Sequence, residues 1–285
     1  MEVITADAVK RLLPKRSEDG DKFAFGKVLC IAGSMGFTGA PYFASLAAQR
    51  SGCGLVRLVV PESIWAVEAT KLNEVMVIGV EDDDDGRLSG RAFSKILDIA
   101  NKSDAVLIGP GCGINRGVQG IVKGLLTSIH IPMVIDADGI NVLCEDRDML
   151  KFASCPIVLT PHSREFARLY GSRPKITDQL LKDFAIDYNV TLVYKSAETT
   201  ITTPDNRIIL NKAHANSGMA KGGSGDVLAG IIASFLAQGL NTTDASILGV
   251  YVHSRAGKSV RDKIGERGML PSDVLNELPL TLKSL

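Results

Sequence analysis

Apolar residues fall along this chain in short unbroken runs, separated by longer stretches where they recur every three or four positions. Seven runs predict strands: 27–33 (KVLCIAG), 54–60 (GLVRLVV), 74–80 (EVMVIGV), 105–109 (AVLIG), 133–136 (MVID), 157–160 (IVLT) and 191–195 (TLVYK). None alternates cleanly, which is the pattern of strands covered on both faces. Between and after them, helical spacing predicts helices over 42–50, 90–100, 118–128, 226–238 and 244–260. The stretch TTITTPDNRIILN, 199–211, reads as a hairpin around Pro204, Asp205 and Asn206. Strand–helix alternation of this kind predicts an α/β fold, one mostly parallel sheet with helices on both faces. With no repeat, low-complexity tract or linker, residues 1–285 are expected to form a single domain.

In open α/β sheets, ligands bind beyond the carboxyl ends of the strands. Five of the runs end in small, polar or charged residues: GSMGFTGAP from Gly33, GPGCGIN from Gly109, DADGIN from Asp136, TPHSRE from Thr160 and KSAETT from Lys195. The glycine loops lack the GxGxxG spacing of dinucleotide folds, so each alone is as well explained as a tight turn. His162 stands at this edge beside Pro161, with Ser163 placed to cap the helix that follows. Asp136 and Asp138 either order a metal-bound water or cap turns, and the residues alone do not choose between the two.

The densest pattern is AKGGSGDVLAGIIASFLAQG, 220–239. Val227, Leu228, Ile231, Ile232, Phe235 and Leu236 share one helical face, so this helix packs on the sheet. Its first turn presents backbone N–H groups without carbonyl partners, at the positive end of the helix dipole, where a phosphate is well accommodated. An aspartate there offsets the dipole, which alone accounts for Asp226. It does not account for Gly222, Gly223, Ser224 and Gly225 in front of it. Asp226 is therefore expected to accept the proton of a hydroxyl attacking phosphorus, beside an anion hole of Gly223, Ser224 and Gly225. No Walker A, HRD or DFG pattern is present, which excludes those phosphate-binding classes.

Composition narrows the classes further. The 285 residues carry 32 basic and 32 acidic side chains and no basic stripe, which argues against a nucleic-acid partner. No apolar run reaches the roughly 18 residues of a membrane span, and the N-terminal MEVITADAVKRLLPKR lacks the apolar core of a leader, so a cytoplasmic protein is expected. Five dispersed cysteines, with no CxxC pair, predict reduced and buried thiols. The four histidines (His130, His162, His214 and His253) have no zinc-ligand spacing. The acidic run 81–85 reads as a solvated loop.

Taken in order, GKVLCIAGSMGFTGAP, NEVMV, VLIGPGCG, VIDADGIN, VLTPHSREFARL, AKGGSGDVLAG, YVHSRAGK and GMLPSDVLNELP closely resemble the ADP- or ATP-dependent NAD(P)H-hydrate dehydratase family of the ribokinase-like superfamily. The resemblance runs from about Val3 to Pro279. It implies restoration of hydrated nicotinamide cofactors, the S form of NADHX or NADPHX, by phosphorylation of the added hydroxyl and loss of phosphate. Mg²⁺ assists, held mainly by the nucleotide phosphates and not by protein ligands. Carried over, Asp226 is the base and contacts the hydrate; Ala40, Gly111, Gly113 and His162 line the hydrate pocket. Lys195, Ser196, Ala197, Glu198 and Thr199, with Gly223, Ser224 and Gly225, bind ADP or ATP. A homotetramer is implied, and the hydrate epimerase that often shares the chain in this family is expected to be a separate protein.

The chain departs from the family pattern at several places. Ser196 follows Lys195 where glycine is usual, Lys221 and Ser224 replace two threonines, and Ser217 and Asn73 replace prolines. Lys221 is expected to add charge near the phosphates. Two other readings stay open: a small-molecule kinase of the same superfamily, of the hydroxyethylthiazole kinase type, and a nucleotide-binding module without catalysis.

Overall fold

A computed structural model describes residues 1–212 and 216–285; His214 lies outside them. Ten strands form one sheet: β1 (Glu2–Val3), β2 (Lys27–Ile31), β3 (Leu55–Pro61), β4 (Met76–Val80), β5 (Ala105–Ile108), β6 (Met133–Ile135), β7 (Ile157–Leu159), β8 (Thr191–Tyr194), β9 (Thr200–Thr202) and β10 (Ile208–Leu210). Their order is β1-β10-β9-β8-β7-β6-β5-β2-β3-β4. Every pair from β4 to β8 is parallel; β9 is antiparallel to both β8 and β10, and β1 lies parallel to β10. The expected hairpin is thus β9–β10. In mid-sheet, Val106, Met133 and Ile157 are level neighbours.

Burial on both faces explains the unbroken apolar runs. Along β2, Val28 and Cys30 point into one apolar layer while Leu29 and Ile31 point into the other, and all four are solvent-inaccessible. The first layer is closed by the helices Gly39–Arg50, Ser224–Ala237, Thr242–Ile264 and Pro271–Lys283; the second by Phe93–Ala100, Arg116–Ser128, Ser163–Tyr170 and Asp178–Asp187. β4 departs from the expectation: as an edge strand it is only partly covered, with Met76 exposed.

Several bounds shift for local reasons. The expected 90–100 helix opens with a 3₁₀ turn, Gly90–Ala92, capped by Ser89. The helix expected from 226 begins two residues earlier, at Ser224, so Asp226 sits at its third position. Helix Glu62–Lys71 was not expected, because only Ile64 and Glu68 are buried and no apolar stripe marks it. All five cysteines are free, four buried and Cys144 half-buried, and burial pushes the Cys53 thiol up to about 12. No helix of the described residues is long and apolar enough to cross a membrane.

Candidate active site

The five strands with polar carboxyl ends, β2, β5, β6, β7 and β8, are consecutive neighbours in the sheet. Sequence order reverses between β2 and β5, the kind of switch point at which open α/β sheets form a crevice. The motifs scattered over 33–200 therefore share one edge. The cavities of about 270 Å³ beside Arg147, Tyr170 and Tyr188 and about 350 Å³ between the last two helices lie away from these strand ends.

The loop after β2 and the loop after β5 lock together. Gly33 N–H donates to the Pro110 carbonyl at 2.8 Å, and Ser34 Oγ donates to the Gly111 carbonyl at 2.8 Å. A β-carbon at Gly111 would lie 2.9 Å from Ala40 Cβ, so Ala40 and Gly111 face each other across this pair. Gly113 N–H donates to Asp138 Oδ2 at 2.8 Å, while Asn141 donates to the other Asp138 oxygen at 3.0 Å. Asp138 is thus a turn-holding acid. The acidic loop is similarly tied, since Asp83 accepts from Asp85 N–H, Arg87 N–H and Asn115 Nδ2.

Asp136 has a different role. It is solvent-shielded and accepts Thr160 Oγ1 and Lys195 Nζ, each at 2.7 Å. Glu165 Oε2 stands 3.9 Å from the same ammonium. Burial alone would lower the Lys195 pKa, but Asp136 and Glu165 together outweigh it and raise it, so this lysine stays cationic. Burial raises the Glu165 pKa, with Lys195 opposing. Lys195 N–H also donates to the Pro161 carbonyl at 2.9 Å, drawing β8 against the turn that carries His162.

His162 itself, rather than Ser163, caps the following helix. Its Nδ1 accepts from Arg164 and Glu165 N–H at 3.1 and 3.2 Å, and Glu165 Oε2 accepts His162 N–H at 2.8 Å, a reciprocal capping box. Acceptance at Nδ1 puts the neutral ring's proton on Nε2, which lies 3.4 Å from Glu165 Oε1. Burial, with Lys195 close by, keeps the ring's pKa below its ordinary value.

Helix Ser224–Ala237 starts without such closure. Its cap, Gly223, has φ +101°, and a β-carbon there would lie 2.9 Å from the Phe43 ring, so glycine is required on both counts. No side chain among the described residues caps this helix. Ser224 N–H donates to the Lys221 carbonyl, while the Gly225 and Asp226 N–H groups have no partner among the described residues. Lys195 Nζ would lie 3.1 Å from a β-carbon at Gly225, which puts the ammonium directly against this turn. Asp226 is half-buried, and its carboxyl is pushed up to about 7, first by burial and then by the negative charge of Asp136, with Lys195 opposing. An acid with that pKa, two N–H groups unpartnered among the described residues and a half-buried cation are together equipped to bind phosphate and to take up a proton near neutrality.

The other expected nucleotide contacts form the turn after β8. Ser196, Ala197 and Glu198 are exposed, Ser196 Oγ donating to the Glu198 carbonyl, and Thr199 accepts Asn211 N–H through its carbonyl. No hydrogen bond joins them to the 223–226 turn among the described residues. Lys221 departs from expectation: its ammonium donates to the Arg267 and Met269 carbonyls, so it fastens the turn to the loop before the last helix. Sequence reasoning missed Thr160 and Glu165 as members of the Lys195 cluster. The acid three residues after His162, at a helix start, was the signal available for Glu165.

The sheet order, the hairpin on one flank and the glycine-led helix over the switch point define a ribokinase-like protein. The solved structure of a ribokinase-like superfamily protein from Enterococcus faecalis matches at TM-score 0.87 and 28% identity, covering 100% of this chain and 96% of that one. The sequence pattern of the NAD(P)H-hydrate dehydratase family matches residues 28–280, and the chain belongs to that family. The bifunctional NAD(P)H-hydrate repair enzyme of Moorella thermoacetica is 38% identical over 99% of this chain and 54% of its own length. This chain thus spans about half the length of the first curated relatives it matches. The ADP-dependent (S)-NAD(P)H-hydrate dehydratase of Neisseria meningitidis is 32% identical over 95% of this chain and 89% of its own. The ADP/ATP-dependent NAD(P)H-hydrate dehydratase of Bacillus subtilis, co-crystallised with ATP and Mg²⁺, matches at TM-score 0.83 and 27% identity, over 99% and 98% of the two chains.

Proposed function

We propose that residues 1–285 act as one dehydratase domain that returns the S form of NADHX or NADPHX to NADH or NADPH, with ADP or ATP as phosphoryl donor. The observation that carries this reading is Asp226: a carboxyl with a pKa pushed up to about 7, in a first turn whose leading N–H groups have no partner among the described residues, with Lys195 alongside. In the first step the hydrate hydroxyl oxygen bonds to the donor's terminal phosphorus, the bond to the leaving phosphate breaks, and the hydroxyl proton passes to Asp226. The Gly225 and Asp226 N–H groups and Lys195 stabilise charge gathering on the phosphate oxygens. In the second step the ring nitrogen pushes its electron pair toward the breaking C–O bond. Phosphate leaves, and a proton is lost from the adjacent carbon to restore the double bond. Hydroxide would leave poorly; phosphate leaves readily.

On this proposal Ala40, Gly111, Gly113 and His162 line the hydrate side, and Lys195 to Thr199 with Gly223, Ser224 and Gly225 the nucleotide side. The neutral His162, with its proton on Nε2, suits a donor to an amide or hydroxyl of the hydrate. Mg²⁺, when bound, neutralises phosphate charge. The donor set fits a cation carried on the nucleotide: no group of three His, Cys, Asp or Glu side chains is placed to hold a metal among the described residues, and Asp136 is engaged by Lys195 and Thr160. A homotetramer, implied by the family resemblance, and a cytoplasmic setting complete the proposal. The test is the return of dihydronicotinamide absorbance when NADHX, Mg²⁺ and either ADP or ATP are supplied. Recovery with release of free phosphate supports the dehydratase; a stable phosphorylated product would support a superfamily kinase instead.

A further inference from the structure

Glu68 is an acidic side chain shut away from solvent, and it has no part in the chemistry above. It belongs to helix Glu62–Lys71 and is solvent-inaccessible. Its Oε1 accepts Lys71 Nζ at 3.0 Å, while its Oε2 is buried and has no partner among the described residues. Burial raises the carboxyl's pKa, with Lys71 opposing. A shielded acid with one unpaired oxygen is a weak stabiliser, because apolar residues of similar volume often serve a core as well or better. The Lys71 side chain is 34% exposed and has water within reach. It is nevertheless drawn inward, where Nζ also donates to the Thr38 carbonyl at 2.7 Å.

Thr38 immediately precedes helix Gly39–Arg50, whose first turn carries Ala40. The loop ahead of it is tied at its near end by the Gly33 and Ser34 bonds to the β5 loop and by Met35 N–H, which donates to the Gly86 carbonyl at 2.9 Å. A β-carbon at Gly33 would lie 2.9 Å from Ile64 Cδ1, so helix Glu62–Lys71 braces that end as well. Farther along the loop the support thins. A β-carbon at Gly36 would meet nothing within 4 Å, and Phe37 is 63% exposed. Of residues 36–39, Thr38 alone is hydrogen-bonded from a different element among the described residues, and Lys71 makes that bond. We propose that Glu68 and Lys71 are positioning residues for the hydrate, the buried acid aiming the ammonium at the Thr38 carbonyl so that Ala40 stays seated against Gly111. The inference rests on the reading of Ala40 and Gly111 as the hydrate wall, and it deepens that reading by assigning the hold on the wall to a helix that supplies no residue to it.

The test compares Lys71→Met with the double variant Glu68→Met plus Lys71→Met in the whole chain. It measures kcat and KM with (S)-NADHX, affinities for NADH and for ADP·Mg²⁺ by calorimetry, and Tm. Lys71→Met is expected to raise the hydrate KM and weaken NADH binding each about 10-fold, with kcat within about 3-fold, because bound ligand reseats a displaced wall and the loss falls on KM. ADP affinity should stay within about 2-fold, since the phosphate turn shares no partner with this pair. Tm should fall in Lys71→Met, where Glu68 is left buried and uncompensated. The double variant should regain that Tm and yet keep the raised KM, because Thr38 still lacks its donor. A KM that returns together with Tm would mean that the pair serves stability alone, and would overturn the proposal. So would a folded Lys71→Met with unaltered hydrate KM and NADH affinity. Should Lys71→Met not fold, the double variant decides by itself, an unaltered hydrate KM overturning the proposal. NADH binding by the unaltered protein without turnover of the hydrate would retire the dehydratase reading alone, the NADH affinities still deciding on Lys71. No binding of NADH or of the hydrate would overturn this inference together with its premise.

Discussion

Two helices begin within reach of the Lys195 ammonium, each with an acid at its third position, and they are finished in opposite ways. At Ser163–Tyr170, His162 and Glu165 satisfy one another's backbone N–H groups, and the end is closed. At Ser224–Ala237, a left-handed glycine with no side chain takes the cap position, and the Gly225 and Asp226 N–H groups have no partner among the described residues. The closed start builds structure and holds Glu165 near the lysine. The open start is less satisfied on its own and is shaped for an outside partner. Glycine in place of a capping side chain costs only about a few tenths of a kcal/mol, so this start stays open at little expense, beside the half-buried Lys195 ammonium.

The largest effect should come from the acid at the open start. Asp226→Asn is expected to lower hydrate turnover about 1,000-fold, within the range for losing a general base, while ADP affinity by calorimetry changes only a few-fold. Turnover within about 10-fold of the unaltered protein would mean that the two acids are alike and that Asp226 is only a dipole partner. Next comes an attempt to crowd the open start. Gly223→Ala forces a β-carbon onto Phe43 at φ +101°, a strain of order 1–3 kcal/mol, and should lower both Tm and nucleotide affinity.

The pH response separates the acids more finely. Asp226 holds its proton up to about 7 in the folded chain, against 3.8 for the ordinary carboxyl, so the folded state binds more protons across that window. Stability from this group therefore falls as pH rises from 3.8 toward 7. Activity should rise over the approach to 7 as the base ionises. Asp226→Asn should accordingly have a Tm advantage over the unaltered protein that is absent near pH 4 and full above pH 7. The ceiling is about 4 kcal/mol from the shift, reduced because the carboxyl keeps some contact with solvent. A Tm difference independent of pH would remove this account.

Opening the closed start should cost less. His162→Ala removes a cap worth about 1 kcal/mol and should raise the KM for the hydrate more than that for ADP. The smallest effect is expected at Lys221→Ala, with ADP affinity within about 2-fold, because its ammonium already serves the Arg267 and Met269 carbonyls and is not directed at ligand. A 10-fold loss there would restore the phosphate role that the sequence suggested.

The contrast between the two starts was only half visible in the sequence. Buried strands announced themselves as unbroken apolar runs, and because polar residues followed five of them, the ligand edge could be located before any coordinates. Their adjacency in the sheet is a matter of long-range pairing that no local pattern encodes. The glycine-led helix was legible because three glycines and an acid ahead of an apolar face have few other uses. What stayed hidden was pairing between distant side chains. Asp136 could not be separated from a turn cap until Lys195, 59 positions later, was seen to reach it. Lys221 looked like phosphate charge, because its carbonyl partners come 46 and 48 residues on. Helix Glu62–Lys71 and the two-residue β1 gave no periodicity to read.

Helix Gly39–Arg50 touches both halves of the site: Ala40 stands beside Gly111, and the Phe43 ring stands against Gly223. Three residues of helix separate those points, a rise of about 4.5 Å. On the proposed assignment, this one rod works as a gauge for the distance between hydroxyl and phosphoryl donor. A synthetic compound joining hydrate-like and nucleotide-like halves would then need a linker cut to less than one helical turn. Anything longer would buckle out of the cleft, and anything shorter would leave one half unseated.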